Sequence, residues 1–241
     1  KNQRQKLHDG TGGKTQMYKA ILFDLDGTIT DSALGITNSV MYALKKFGIE
    51  ETDRTKLYKF IGPPLTESFE KFIGPPLTES MEKYYGMSEE EALLGVKYYR
   101  EYYHDKGIYE NRVYDGLEEV LKKINEAGKQ AIVATSKPEK YAKIIIDHFH
   151  LTQYFACVAG MEMDGGRGTK AQVITYALEK NDITDKSKVL MIGDREHDVV
   201  GAHENGLDCL GILYGFGSRK EFEEAGANYI RGNVEDILQF V

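Results

Sequence analysis

Asp24 and Asp26 stand two residues apart in "FDLDGT", followed at once by Gly27 and Thr28. Side chains two apart on an extended chain project to the same side, so both carboxylates can face one group. Gly27 lets the backbone turn sharply just behind them. An Asp-Gly turn closing a strand accounts for the same residues with no chemistry at all. A second stretch, "ATSKPEK", offers hydroxyls and backbone N–H groups at Thr135 and Ser136, with Pro138 placed as the first residue of a helix. Helix N-termini attract anions such as phosphate; an ordinary N-cap is the plain alternative. Lys170 opens a further helix in "GRGTKAQVI", where a lone lysine is ordinarily a solvated surface charge. In "IGDREHD", Asp194 ends an apolar run and Asp198 follows one helical turn later, again readable as a turn plus a cap. His197, between them, reads as a surface residue.

Taken together the four stretches say more than each does alone. All fall at the carboxyl end of a predicted strand or just beyond it. They supply a nucleophilic acid, a second acid, a hydroxyl with N–H groups, a lysine and a further pair of acids. That inventory suits phosphoryl transfer at a magnesium ion, where catalysis is mostly positioning and charge neutralisation.

The elements that must position these residues are short apolar runs: 20–24, 130–135, 155–160, 188–193 and 209–213. They are rich in Val, Ile, Leu and Phe and do not alternate, as strands buried on both faces should not. Helical patterns lie between them, at 116–129, 139–149, 170–181 and 198–206. Alternating strands and helices predict an α/β fold, a parallel sheet with helices on both faces. Residues 33–111 break the rhythm. They hold no convincing strand and read as an all-helical insert, a second, smaller domain lying where ligands of such sheets bind.

The 241 residues, 41% hydrophobic and 29% charged, can bury a substantial core. A net charge of −7 argues against a nucleic-acid partner. No run of about 18 apolar residues is present, so no membrane span is expected. Cys157 and Cys209 sit in apolar runs and read as small core residues of a reducing compartment. Residues 1–16 are polar and lack the apolar stretch of a secretory signal; they read as a disordered leader or tag remnant, with the natural start near Met17. Their "GTGGKT" imitates a phosphate-binding loop, but the position where the motif needs its first glycine is His8. A cytoplasmic location follows as the expectation.

With these motifs in hand, the chain resembles the haloacid dehalogenase-like hydrolase superfamily. "DLDGT" (24–28), Thr135, Lys170 and "GDREHD" (193–198) match its four motifs in order and spacing across almost everything after residue 17. Among its members the chain is most similar to the phosphoglycolate phosphatase group, whose cap commonly carries an "IGPPL" stretch. The resemblance implies a Rossmann-like core over 17–32 and 112–241, with its first strand central, and a small all-helical cap domain over 33–111. It implies that Asp24 attacks phosphorus to form an aspartyl-phosphate. Asp26 would protonate the leaving oxygen and later deprotonate water, for which burial or neighbouring charge should raise its pKa. Magnesium (Mg2+) would be held by Asp24, Asp194 and the Asp26 backbone carbonyl, with Asp198 behind a metal-bound water or Lys170. Gly27, Thr28, Thr135, Ser136 and Lys170 would bind the phosphoryl group of a small phosphorylated metabolite. A monomer or weak dimer is expected.

One segment is duplicated: "KFIGPPLTESFE" (59–70) is followed directly by "KFIGPPLTESME" (71–82). Two copies are too few for a solenoid, and the paired prolines forbid one continuous helix. A tandem duplication, of recent or artificial origin, is the reading, with one copy lengthening the cap. Tyr98, Tyr99, Tyr102 and Tyr103 recur at near-helical spacing in the last cap helix; they read as core packing, and the competing use is stacking on an aromatic leaving group. Sugar phosphomutase, pyrophosphatase and 5'-nucleotidase share the core motifs. Dehalogenation would need neither Asp26 nor a metal. A signalling receiver domain also phosphorylates an aspartate but is shorter and carries no insert.

Overall fold

The computed structural model describes residues 18–61, 75–162 and 166–241. The leader and its "GTGGKT", and the repeat from residue 62 to 74, lie outside those residues. Six strands form one parallel sheet: β1 (Ala20–Phe23), β4 (Gln130–Pro138), β5 (Phe155–Met161), β6 (Val189–Gly193), β7 (Asp208–Ile212) and β8 (Tyr229–Arg231). Their order is β5-β4-β1-β6-β7-β8. β1 is therefore central, with Phe23 opposite Val133 on one side and Ile192 on the other.

Alternate residues of β1 enter two different cores, as the two-residue period of a strand requires. Ile21 and Phe23 join the cluster beneath α4 (Leu117–Glu126), α5 (Glu139–His148) and the C-terminal turn Val234–Phe240. Ala20 and Leu22 face the cluster beneath α6 (Lys170–Lys180), α7 (Glu196–Glu204) and α8 (Arg219–Ala225). Both faces are dry, which is why the runs lack alternation. Truncating a residue such as fully buried Leu22 to Ala should cost about 2–5 kcal/mol.

Between β2 (Thr30–Asp31) and β3 (Arg112–Val113) the chain holds α1 (Ala33–Lys46), a 3-10 turn Arg54–Phe60, α2 (Pro75–Tyr85), α3 (Glu89–Tyr102) and a π turn Tyr103–Gly107. No strand occurs there among the described residues. β2 and β3 pair antiparallel, Thr30 with Val113 and Asp31 with Arg112, and the Arg112 guanidinium adds an ion pair to Asp31 at 3.1 Å. The insert thus leaves and returns beside the end of β1. Ser88 caps α3 in a reciprocal box with Glu91.

Three readings change. β8 was not predicted: it is a three-residue edge strand containing Arg231, too short and polar to register as an apolar run. Pro138 does not open a helix. Its ψ of 130° is extended, so it ends β4 and caps α5, which begins at Glu139. α7 starts at Glu196 rather than Asp198, which places Asp198 inside the first helical turn.

Candidate active site

The ladder of β1 extends one residue beyond the strand, since the Asp24 amide donates to the Ile192 carbonyl at 2.9 Å. The chain then turns tightly, with the amides of Thr28, Ile29 and Thr30 all donating to the Leu25 carbonyl. Gly27 makes the turn at φ +83°. A Cβ there would lie 2.1 Å from Asp194 Oδ2, so both conformation and space demand glycine. Its amide donates to the Thr30 carbonyl at 2.7 Å. Thr28 is fully buried, its hydroxyl 3.5 Å from Asp194 Oδ1. Both were expected to bind substrate; the structure engages them in shaping the turn and backing Asp194.

Lys170 is delivered by a capping box. Thr169 Oγ1 accepts from the Gln172 amide, and the Gln172 side chain accepts from the Thr169 amide. That fixes Lys170 as the first residue of α6, and its side chain runs inward rather than into solvent. Nζ lies 2.7 Å from Asp24 Oδ1, 2.7 Å from Asp198 Oδ1 and 3.0 Å from the Ala134 carbonyl. Three oxygens thus surround the ammonium, as many as it has donors. Asp198 completes its own bonding with Oδ2, which accepts from the Arg195 amide at 3.1 Å. Asp194 Oδ2 accepts from the Phe216 amide at 2.9 Å.

Asp24, Asp194 and Asp198 thus bring carboxylate oxygens within 4.8 Å of one another, all buried, with one ammonium paired to two of them. Burial pushes Asp24 up to about 6, with Lys170 pulling down and Asp198 pushing further up. Burial also raises Asp194 well above the carboxylate range, helped by Asp198 and Asp24. Burial pushes Asp198 up, but the Lys170 ammonium, His197 and the Arg195 amide together bring it below the ordinary carboxylate value. Such a surplus of buried negative charge favours a hard divalent cation with oxygen ligands. The donor set fits magnesium, with Asp24 and Asp194 as the carboxylates still able to turn toward it.

Asp26 lies on the other side and has different company. Its side chain is enclosed, as expected, but the charge beside it is a cation. Lys137 Nζ sits 2.9 Å from Asp26 Oδ2, both side chains largely enclosed. The same Nζ donates to the Tyr103 hydroxyl at 2.7 Å. Asp26 Oδ1 is buried and has no hydrogen-bond partner among the described residues. Thr135 is buried and its hydroxyl accepts from the Lys137 amide at 3.1 Å, so the end of β4 itself aims the lysine. Ser136 follows it, part-exposed.

The tyrosine cluster divides. Tyr98 packs edge-on to Phe47 against the core, and Tyr102 leans on Tyr42 and donates its hydroxyl to Glu110. Tyr103 belongs to the π turn instead, stacks on Tyr99 at 5.5 Å with 10° between planes, and reaches the site through Lys137. π turns inside helices recur at functional positions. His197 is a correction: its side chain is only 11% exposed, Nε2 is 3.9 Å from Asp198 Oδ1, and burial lowers its pKa to about 4. It enters the interior because α7 starts two residues earlier than expected. Sequence reasoning also missed Arg195, whose guanidinium donates to the Ile61 carbonyl of the insert at 3.1 Å and to Glu221 at 2.8 Å. The "GFGS" loop (215–218) that carries Phe216 was overlooked too, though two glycines flanking an aromatic after a strand were visible. Lys137 follows the Ser136 hydroxyl directly, and no local pattern marks it as part of a site.

The haloacid dehalogenase-like hydrolase profile matches residues 21–212. A protein of Pseudomonas aeruginosa named 5'-nucleotidase is 43% identical over 204 residues, 85% of this chain and 86% of that one. The phosphoglycolate phosphatase of Vibrio parahaemolyticus is 24% identical over 226 residues, covering 94% and 97%. The crystal structure of a predicted phosphatase from Clostridium acetobutylicum superposes with a TM-score of 0.80 at 46% identity, over 92% of this chain and 96% of that one. The matched span reaches from β1 to the end of β7 and so takes in every strand whose carboxyl end carries a site residue. By motif order, sheet topology and likeness along its length, this chain belongs to the haloacid dehalogenase-like hydrolase family.

Proposed function

We propose that the protein is a magnesium-dependent phosphatase of small phosphomonoesters that works through a phosphorylated Asp24. The observation that carries this is the buried set Asp24, Asp194, Asp198 and Lys170, which gathers a nucleophile and charge-balancing groups at one strand end. Asp24 Oδ attacks phosphorus and the ester P–O bond breaks, the departing oxygen taking a proton from Asp26. Water then attacks the same phosphorus, gives a proton to Asp26, and the Asp24–phosphorus bond breaks to restore the carboxylate. Asp24, Asp194 and the Asp26 carbonyl would hold magnesium, which when bound supplies charge neutralisation at the phosphoryl oxygens. A phosphoryl group seated on Asp24 would take over a Lys170 donor now given to that carboxylate, and would meet the Thr135–Ser136 loop. Residues 33–111 would act as a cap over this site, tied down by Arg195 on Ile61 and by Lys137 on Tyr103.

For the substrate, the 43% identical relative named 5'-nucleotidase favours a 5'-nucleoside monophosphate over phosphoglycolate, whose named phosphatase is 24% identical. The test is phosphate release from 5'-nucleotides, phosphoglycolate, sugar phosphates and pyrophosphate, with magnesium or with chelator. Release from monoesters that stops with chelator is expected. Isomeric sugar phosphate in place of free phosphate, or turnover indifferent to chelator, would overturn the reading.

A further inference from the structure

Two enclosed lysines border this site, and among the described residues only one of them has as many oxygens around it as it has donors. Lys170 has three acceptors for its three donors, two carboxylates and a carbonyl. Lys137 has two among the described residues, Asp26 Oδ2 at 2.9 Å and the Tyr103 hydroxyl at 2.7 Å. One donor of a largely enclosed ammonium is left over. Next to it, Asp26 Oδ1 is buried with no donor among the described residues. An unmet donor beside an unmet acceptor is costly in an enclosed site unless a ligand completes them.

The proposed reaction says which ligand atoms come here. Asp26 gives its proton to the ester oxygen of the leaving group, so Oδ1 addresses that oxygen. The lysine bonded to Oδ2 then lies one short step further along the leaving group. We propose that Lys137, held in place by Tyr103, is a specificity-determining residue that binds a second oxygen of the leaving group, on the carbon next to the ester carbon. The chemical class is a phosphomonoester of the form P–O–CH2–C–O. A 5'-nucleotide presents its ribose ring oxygen at that spacing, and phosphoglycolate presents its carboxylate. The shared feature is the neighbouring oxygen, neutral in one and anionic in the other. Tyr103 arrives on the π turn of the insert, so this contact is assembled only when insert and core are together.

The inference rests on the phosphatase reading, and the experiment separates the two. Four substrates are compared at saturating magnesium. 5'-AMP and phosphoglycolate need the acid and carry the neighbouring oxygen. Ethyl phosphate needs the acid and lacks that oxygen. p-Nitrophenyl phosphate needs neither. A hydrogen bond to a charged group is worth roughly 10- to 100-fold. Lys137→Met should therefore lower kcat/KM for 5'-AMP or phosphoglycolate by about that factor more than for ethyl phosphate, with most of the difference in KM. Tyr103→Phe, which keeps the ring and the fold, should move the same ratio in the same direction, about 3- to 10-fold. Lys137→Arg should recover part of it. Loss for 5'-AMP alone or phosphoglycolate alone identifies which oxygen is read. Equal loss on 5'-AMP, phosphoglycolate and ethyl phosphate, with p-nitrophenyl phosphate spared, would mean that Lys137 serves only Asp26 and would overturn the proposal. Equal loss on all four would overturn it as well. A wild-type enzyme that releases phosphate from none of them would sink the phosphatase reading and this inference together.

Discussion

Lys170 and Lys137 are both buried beside an aspartate of "DLDGT", yet they belong to different kinds of structure. Among the described residues every partner of Lys170 comes from the α/β core: Asp24 after β1, Ala134 in β4 and Asp198 in α7. Lys137 is shared between the core residue Asp26 and the insert residue Tyr103. The first end of the site is complete within the core and suits a step common to all phosphomonoesters. The second is finished by the insert and is left one bond short, which suits the choice of leaving group. The difference teaches that the reaction and its selectivity can be carried by neighbouring residues two apart on one turn, because each faces a different structural unit.

The largest way to break that division is Asp24→Asn. Removing the nucleophile should lower kcat by about 10^4-fold or more on every substrate, with the circular dichroism spectrum unchanged. A loss confined to some substrates would mean that the core end also selects. Next is Lys170→Met, which would strand Asp24 and Asp198 in the interior without a cation. Breaking a buried pair in this way should cost about 3–5 kcal/mol in urea unfolding. Lys137→Met leaves a single carboxylate, Asp26, without its cation, and should cost about 1–3 kcal/mol. Equal destabilisation by the two would remove the contrast.

Titration sharpens it further. Asp24 is raised to about 6 and Asp194 is also raised, so the metal-free folded state holds protons that the unfolded chain releases near 4. Their contribution to stability is present at low pH and is lost as pH rises through the folded values. His197, lowered to about 4 from 6.5, works in the opposite sense as pH falls through that interval. Magnesium requires both carboxylates ionised. Its affinity should fall about tenfold per pH unit below about 6 for each proton displaced, and the gain in Tm it produces should be larger at pH 7.5 than at pH 5. Calorimetric titration at the two pH values measures this, and an affinity that does not change would contradict it. The smallest effect is expected from Arg195→Lys, which gives up the bond to the Ile61 carbonyl. KM should rise about 2- to 10-fold with kcat nearly constant.

The same division explains what the sequence disclosed. The five predicted strands, the helical insert and Asp24, Lys170, Asp194 and Asp198 were all legible, because each depends on local pattern: apolar runs, caps and motif spacing. Cys157 and Cys209 are buried and free, as their runs implied. What escaped depends on contacts distant in the chain. Lys137 and Tyr103 are 34 residues apart, and nothing local marks either as a partner of the other. A lysine at the end of an apolar run is ordinarily solvated, and a tyrosine at helical spacing ordinarily packs. His197 and Pro138 were misplaced by two residues or one, the usual reach of a boundary error, and for His197 that small shift is the difference between surface and interior.

The central claim is that Asp24 carries the phosphoryl group during turnover. Rapid quenching of enzyme and substrate, followed by borohydride reduction and peptide mapping, tests it directly. The account predicts modification at Asp24 in the wild-type protein, and none in Asp24→Asn. Modification at another residue, or full turnover with Asp24 never modified, would contradict it.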